Sequence, residues 1–237
     1  MFIARFLFIV LLLLPLNVFA GVAVPDMIIP EGKSIQLSAR AKKGFFSQGG
    51  TLVEFSVDGK TLGKTLSGGD SIAYMEYLPE SSGIHEILVT SKDETGRGSL
   101  LVVTGRDQLL FVDVREALFA DPLGGTMREG ALDALSELSE TYRIVYLRSG
   151  LYPRVLMKEW LHEKGFKKAL LLNLGNGRII KKIKSDGIKV SAVVAGPEAA
   201  VILKREDVLV LSFEKVDGTT KVDSWLDVEK ALNEGGK

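Results

Sequence analysis

Cysteine is absent from the 237-residue sequence. That excludes disulfides, thiolate catalysis and cysteine-held zinc or iron–sulfur centres. Histidine is scarce: His85 and His162 are the only two and stand far apart, which argues against a histidine metal cluster. An excess of charge of either sign is also lacking, with 30 Lys and Arg against 30 Asp and Glu, so the chain has no basic footprint for nucleic acid. Beyond the N-terminus every apolar run is broken by charge or glycine, so no later segment is a candidate membrane span.

The N-terminus itself reads MFIARFLFIVLLLLPLNVFA, with Arg5 in a short basic start, an apolar stretch to Val18 and a V-x-A site ending at Ala20. This is the layout of a secretory signal peptide covering residues 1–20, which places the protein in the periplasm or outside the cell. The alternative is an uncleaved anchor, for which the apolar stretch falls a little short of the about 20 residues that span a bilayer. Roughly 215 residues remain, enough for one large or two modest domains with real cores. A boundary near Gly105 divides them into 21–104 and 105–237.

The first part is expected to be all-β. Ser34–Ala41 and Thr51–Val57 alternate apolar with polar residues, and Ile84–Thr90 and Gly98–Val103 are two more strands. Asp58–Gly59 is a two-residue hairpin signal. Phe55, Val57, Tyr77, Ile87 and Val89 are core-facing candidates, and His85 is expected on the sheet surface. The stretch V-x-F-x-V-D-G from Val53 to Gly59, then Tyr77 and Pro79, then G-x-H-x-I from Gly83 to Ile87, resembles bacterial immunoglobulin-like domains. The resemblance implies a β-sandwich.

After Gly105 the grammar changes. Buried strands are expected at Leu109–Val114, Arg143–Leu147, Ala169–Leu174, Val190–Ala195 and Val208–Phe213. Helices are expected at Met127–Thr141 (Leu132, Leu135 and Leu138 at i, i+3 spacing), Pro153–Lys164 (Val155, Leu156, Trp160 and Leu161 on one side, with Met157 and Trp160 read as core), Arg178–Asp186 and Val222–Asn233. Strands alternating with helices imply right-handed β-α-β units on a mostly parallel sheet, an α/β three-layer domain.

Parallel sheets gather functional groups beyond their C-terminal strand ends. Those places hold Asp113 and Arg115, then Arg148 and Ser149, then Gly196–Glu198, with Lys181 and Lys182 close by. Asp121 and Pro122 read as turn residues. The D-V-x-x-x-L-x-x-D-x-L-G spacing from Asp113 to Gly124 resembles the haloacid dehalogenase-like superfamily, within it the lipin-type phosphatidate phosphatases and the related domain of phosphatidylinositol-transfer proteins. The resemblance implies a Rossmann-like fold, Asp113 as nucleophile and Mg²⁺ ligand, Glu198 as a second metal ligand, and Lys181 or Lys182 as the phosphate clamp.

The sequence departs from that family where the chemistry is done. Arg115 stands at the general-acid position, where a guanidinium cannot deliver a proton. Ala117 replaces a threonine, and Pro197 follows Gly196 where an acid is expected. Arg115 and Arg148 suit an anion better than a divalent cation. The leading expectation is therefore a degenerate phosphatase domain, needing no cofactor, that holds a phosphate-bearing small molecule, a lipid headgroup or a partner at Arg115, Arg148, Ser149, Lys181 and Lys182. One alternative is a Mg²⁺-dependent phosphatase. Another is an adhesion or interaction module that meets a protein partner through the sandwich. Asp113 and Arg115 as a purely structural pair is the remaining reading of that tip.

Overall fold

The computed structural model describes residues 21–42, 49–92, 94–121, 125–166 and 168–234. The expected leader at 1–20, with Pro122 and Gly124, lies outside these residues.

The N-terminal part is a two-sheet sandwich. Strands β1 (Gly21–Ala23), β3 (Ile35–Lys42) and β6 (Ile72–Tyr77) form one sheet in the order β1-β3-β6. Strands β2 (Met27–Pro30), β4 (Leu52–Val57), β5 (Lys60–Leu66), β7 (Gly83–Ser91) and β8 (Glu94–Val103) form the other in the order β2-β8-β7-β4-β5. The first strand is split between the sheets, pairing antiparallel with β3 through β1 and parallel with β8 through β2, an immunoglobulin-like arrangement. Alternation explains the core: Leu37, Ala39, Val53, Phe55, Val57, Ile87 and Val89 point inward from both sheets. Tyr77 is only half-buried. The hairpin at Asp58–Gly59 has positive φ at both residues, 49° and 80°, as the tight turn requires.

Where the split strand passes from one sheet to the other it presses on β8. A Cβ on Gly98 would lie 2.6 Å from Val24 Cγ1, and one on Gly96 would overlap the Val22 carbonyl. Only glycine admits this crossing.

The C-terminal part is a six-stranded, all-parallel sheet. It holds β9 (Gln108–Asp113), β10 (Arg143–Arg148), β11 (Leu171–Asn173), β12 (Lys189–Val194), β13 (Leu209–Ser212) and β14 (Thr220–Lys221), in the order β11-β10-β9-β12-β13-β14. On one face lie α1 (Ala131–Leu138), α2 (Arg154–Glu163) and α5 (Trp225–Glu234); on the other lie α3 (Arg178–Ser185) and α4 (Pro197–Leu203). Central β9 serves both layers, Leu110 and Val112 facing the first and Leu109 and Phe111 the second.

Two helices differ from expectation. The first starts at Ala131, not Met127, because Gly130 sits at φ 73° and Met127 bridges back to Phe119. On α2 Met157 and Trp160 face inward with Leu161, as expected, while Val155 and Leu156 are exposed, as is Leu132 on α1.

The two parts share a core. Along β8, Leu100 and Val102 fill the sandwich, while Leu101 and Val103 join Leu109, Phe111 and Leu147 under the parallel sheet. Asp26, at the strand crossing, reinforces the junction. Its buried carboxylate takes Arg154 Nη2 at 2.7 Å and Lys158 Nζ at 2.7 Å, and accepts the N–H groups of Ser99 at 2.9 Å and Leu171 at 2.7 Å.

Candidate functional site

The parallel sheet brings Asp113 to the C-terminal tip of its central strand, opposite Leu147 of β10. There the chain makes one π-helical turn, Val114–Leu118, a local geometry common at functional sites. Asp113 caps that turn, its Oδ1 accepting the Glu116 N–H at 3.0 Å. Arg128 closes the other end, donating to the carbonyls of Glu116, Ala117 and Phe119 while its guanidinium lies 4.2 Å above the Phe213 ring. Sequence reasoning missed Arg128, because nothing in its own segment points at residues nine to twelve positions earlier.

Arg115 does not pair with Asp113. Its Nη2 donates to Glu116 Oε1 at 2.7 Å and to Glu198 Oε2 at 3.2 Å, bridging the turn to the start of α4. Gly196 makes this possible, since a Cβ there would overlap the Glu116 side chain. Glu116, also missed, is thereby the acid nearest the expected general-acid position.

Asp113 is fully buried. Burial pushes its carboxyl up to about 6, against the Ser149 hydroxyl and the Glu116 N–H, which pull it down; the Glu116 carboxylate adds to the rise and Arg115 offsets part of it. Asp113 Oδ2, Glu116 Oε2, Arg115 Nε and Ser149 Oγ are all buried and have no hydrogen-bond partner of good geometry among the described residues.

The other expected site residues do not converge on this point. Arg148 turns away to donate from Nη1 to the Tyr152 carbonyl at 3.0 Å. Lys181 and Lys182 lie exposed on α3, Lys182 pairing with Asp186 at 2.5 Å, and neither makes an ion pair with the strand-tip acids. Asp121 accepts the Thr126 N–H at 3.3 Å, a turn-holding bond.

His85 corrects another expectation. It is buried, with Nδ1 2.6 Å from Asp58 Oδ2 and Nε2 2.9 Å from the Ser81 carbonyl. Both ring nitrogens face acceptors, so both bonds together need the doubly protonated ring. Burial raises the Asp58 carboxyl, but the His85 bond and the Glu86 N–H outweigh it and hold the carboxyl below its ordinary range. His85 therefore ties the β4–β5 turn to β7.

These groups have limited chemistry. Burial disfavours the charged form of Asp113, the form that would attack phosphorus or hold Mg²⁺. The Arg115 guanidinium already lies between the two carboxylates that would have to join Asp113 around Mg²⁺, so the donor set does not fit that ion. An arriving phosphate would have to displace the same two carboxylates from Arg115.

No protein-family model matches the chain, and no curated protein matches it. Solved structures similar to it are β-sandwich modules. The D0–D1 domain of intimin is 13% identical over 39% of this chain and 56% of that one, with a TM-score of 0.32. Fibronectin(III)-like modules of Clostridium thermocellum CbhA are 15% identical over 35% and 97% of the two chains, TM-score 0.25. An Ig-like domain from human cDNA is 17% identical over 38% and 76%, TM-score 0.24. The chain spans just over half the length of the intimin structure. These neighbours are immunoglobulin- and fibronectin-like sandwiches, not dehalogenase-like or lipin-type proteins, which overturns the resemblance drawn from Asp113–Gly124. The physical reason is that the spacing of a strand tip, a turn and a following loop is supplied by any parallel α/β sheet, whereas the catalytic letters that would single out that superfamily are missing. What stands is an immunoglobulin-like sandwich joined to a parallel α/β unit.

Proposed function

We propose that this is an exported interaction module, in which the immunoglobulin-like sandwich meets a protein partner and the α/β part, 105–237, is its rigid support. The observation that carries this reading is the Arg115 bridge between Glu116 and Glu198, which leaves that guanidinium at the strand tip engaged by the protein's own carboxylates. The shared core around Leu101 and Val103 and the Asp26 ion pairs support a stiff two-part body, which lowers the entropy cost of binding. The free edge of the larger sheet supplies a contact face: Leu52 and Leu66 pair directly across β4 and β5 and are 53% and 61% exposed.

The test uses the whole chain in the cells that produce it. A photo-crosslinking residue at Leu66 is expected to capture a discrete partner that the same residue at Lys230 does not. Purified protein is expected to leave a generic phosphomonoester unhydrolysed in Mg²⁺. Equal capture at both positions, or turnover abolished by Asp113→Asn, would overturn the proposal.

A further inference from the structure

We infer that the cleft between the sandwich and the α/β part is a binding site for a small polyanion, a polycarboxylate or phosphate ester, held by Arg40, Arg148 and Arg154. The cleft has a volume of about 490 Å³, within the range of small-molecule sites. It lies beside the strand tips, not at Asp113, and both halves of the molecule build it: Arg40 comes from β3, Arg148 from the end of β10 and Arg154 from the start of α2.

The charge at this place is unbalanced. Asp26 is the only carboxylate lining the cleft among the described residues, and it is saturated: two cations and two backbone N–H groups already occupy its oxygens. Arg40 is exposed and has no partner among the described residues. Arg148 spends one of its five N–H donors on the Tyr152 carbonyl. Arg154 is held in place by Asp26 through Nη2. Three guanidinium groups with a single occupied counter-charge, set in a concave wall, focus positive potential where a planar oxyanion can be gripped by forked donors.

The remaining lining suits a small organic anion. Ser38 and Asn173 offer neutral hydrogen-bonding groups, and Ile179 offers an apolar wall for a carbon scaffold. A ligand here would touch both halves and so stabilise their junction, the same junction that the Asp26 ion pairs hold.

Isothermal titration of the whole chain with citrate and, separately, with inorganic pyrophosphate tests this, at low ionic strength and against sodium chloride of matched strength. Saturable binding of at least one probe is expected, weakened about 10-fold or more by Arg40→Gln and unchanged by Lys230→Gln, which removes the same charge from an exposed helix. Arg40 has no partner to lose, so the variant is expected to melt as the parent does. Which probe binds identifies the anion as carboxylate or phosphate. Absence of saturable binding to either probe overturns the inference, as does binding that survives Arg40→Gln or falls equally in Lys230→Gln.

Discussion

Asp113 shows how far a single residue can be read from its neighbours. Its place at the tip of the apolar run Leu109–Val112 is visible in the sequence, and the structure puts it there. Its state is not visible, because that depends first on complete burial, then on Ser149 beside it and on Glu116 beneath Gly196. In the unfolded chain Asp113 titrates near 3.8, and in the fold near 6. Between those values the folded protein keeps a proton that the unfolded chain has lost. The stability contributed by this group is therefore full at low pH and declines as pH rises to about 6, leaving a cost of about 3 kcal/mol above it. Asp113→Asn keeps an acceptor for the Glu116 N–H and discards the charge. Urea midpoints are expected to coincide with the parent at pH 4 and to lie higher in the variant at pH 7.5.

At the scale of elements, most strands and helices are legible because their signals are local. Val53–Val57 alternates, Ile144–Leu147 is continuously apolar, and Asp58–Gly59 makes the turn it announces. The signals fail where a partner is distant. The short helix α4 starts at Pro197 directly after Gly196 and carries too few large side chains for its period to register. His85 lies at an alternating position of β7, on the same face as the buried Ile87 and Val89, and its bond to Asp58 in the β4–β5 turn is a contact that its own segment does not announce. The strand crossing is equally silent, since Gly96 and Gly98 look like loosening residues in a strand until Val22 and Val24 are found pressed on them. Gly98→Ala is expected to cost about 2 kcal/mol by overpacking, measured as a lower urea midpoint, and to make the crossing segment more open to proteolysis.

The molecule as a whole rests on a contact that no sequence pattern marks. Asp26 sits in V-P-D-M, and its partners Arg154 and Lys158 lie more than a hundred residues away. The run Leu100–Val103 gives a partial hint, being apolar at consecutive positions where a sandwich edge would alternate. The structure explains it: one set of side chains faces the sandwich and the other faces β9. Removing the buried carboxylate leaves two half-buried cations without their counter-charge, and Asp26→Asn is expected to lose about 3 kcal/mol. Calorimetry is expected to show one transition for the parent chain and a lower melting temperature for the variant. An unchanged melting temperature would mean that the two parts hold together through Leu101 and Val103 alone.

On the proposed reading the strand tip is closed by its own ion pairs and the protein binds without cleaving. Melting curves of the parent chain and Asp113→Asn, recorded at pH 7.5 with and without millimolar Mg²⁺, test it most directly, because a bound metal ion must stabilise the folded state. The account predicts no Mg²⁺-dependent shift in either protein and a higher melting temperature for the variant. A rise with Mg²⁺ in the parent that Asp113→Asn abolishes would contradict it.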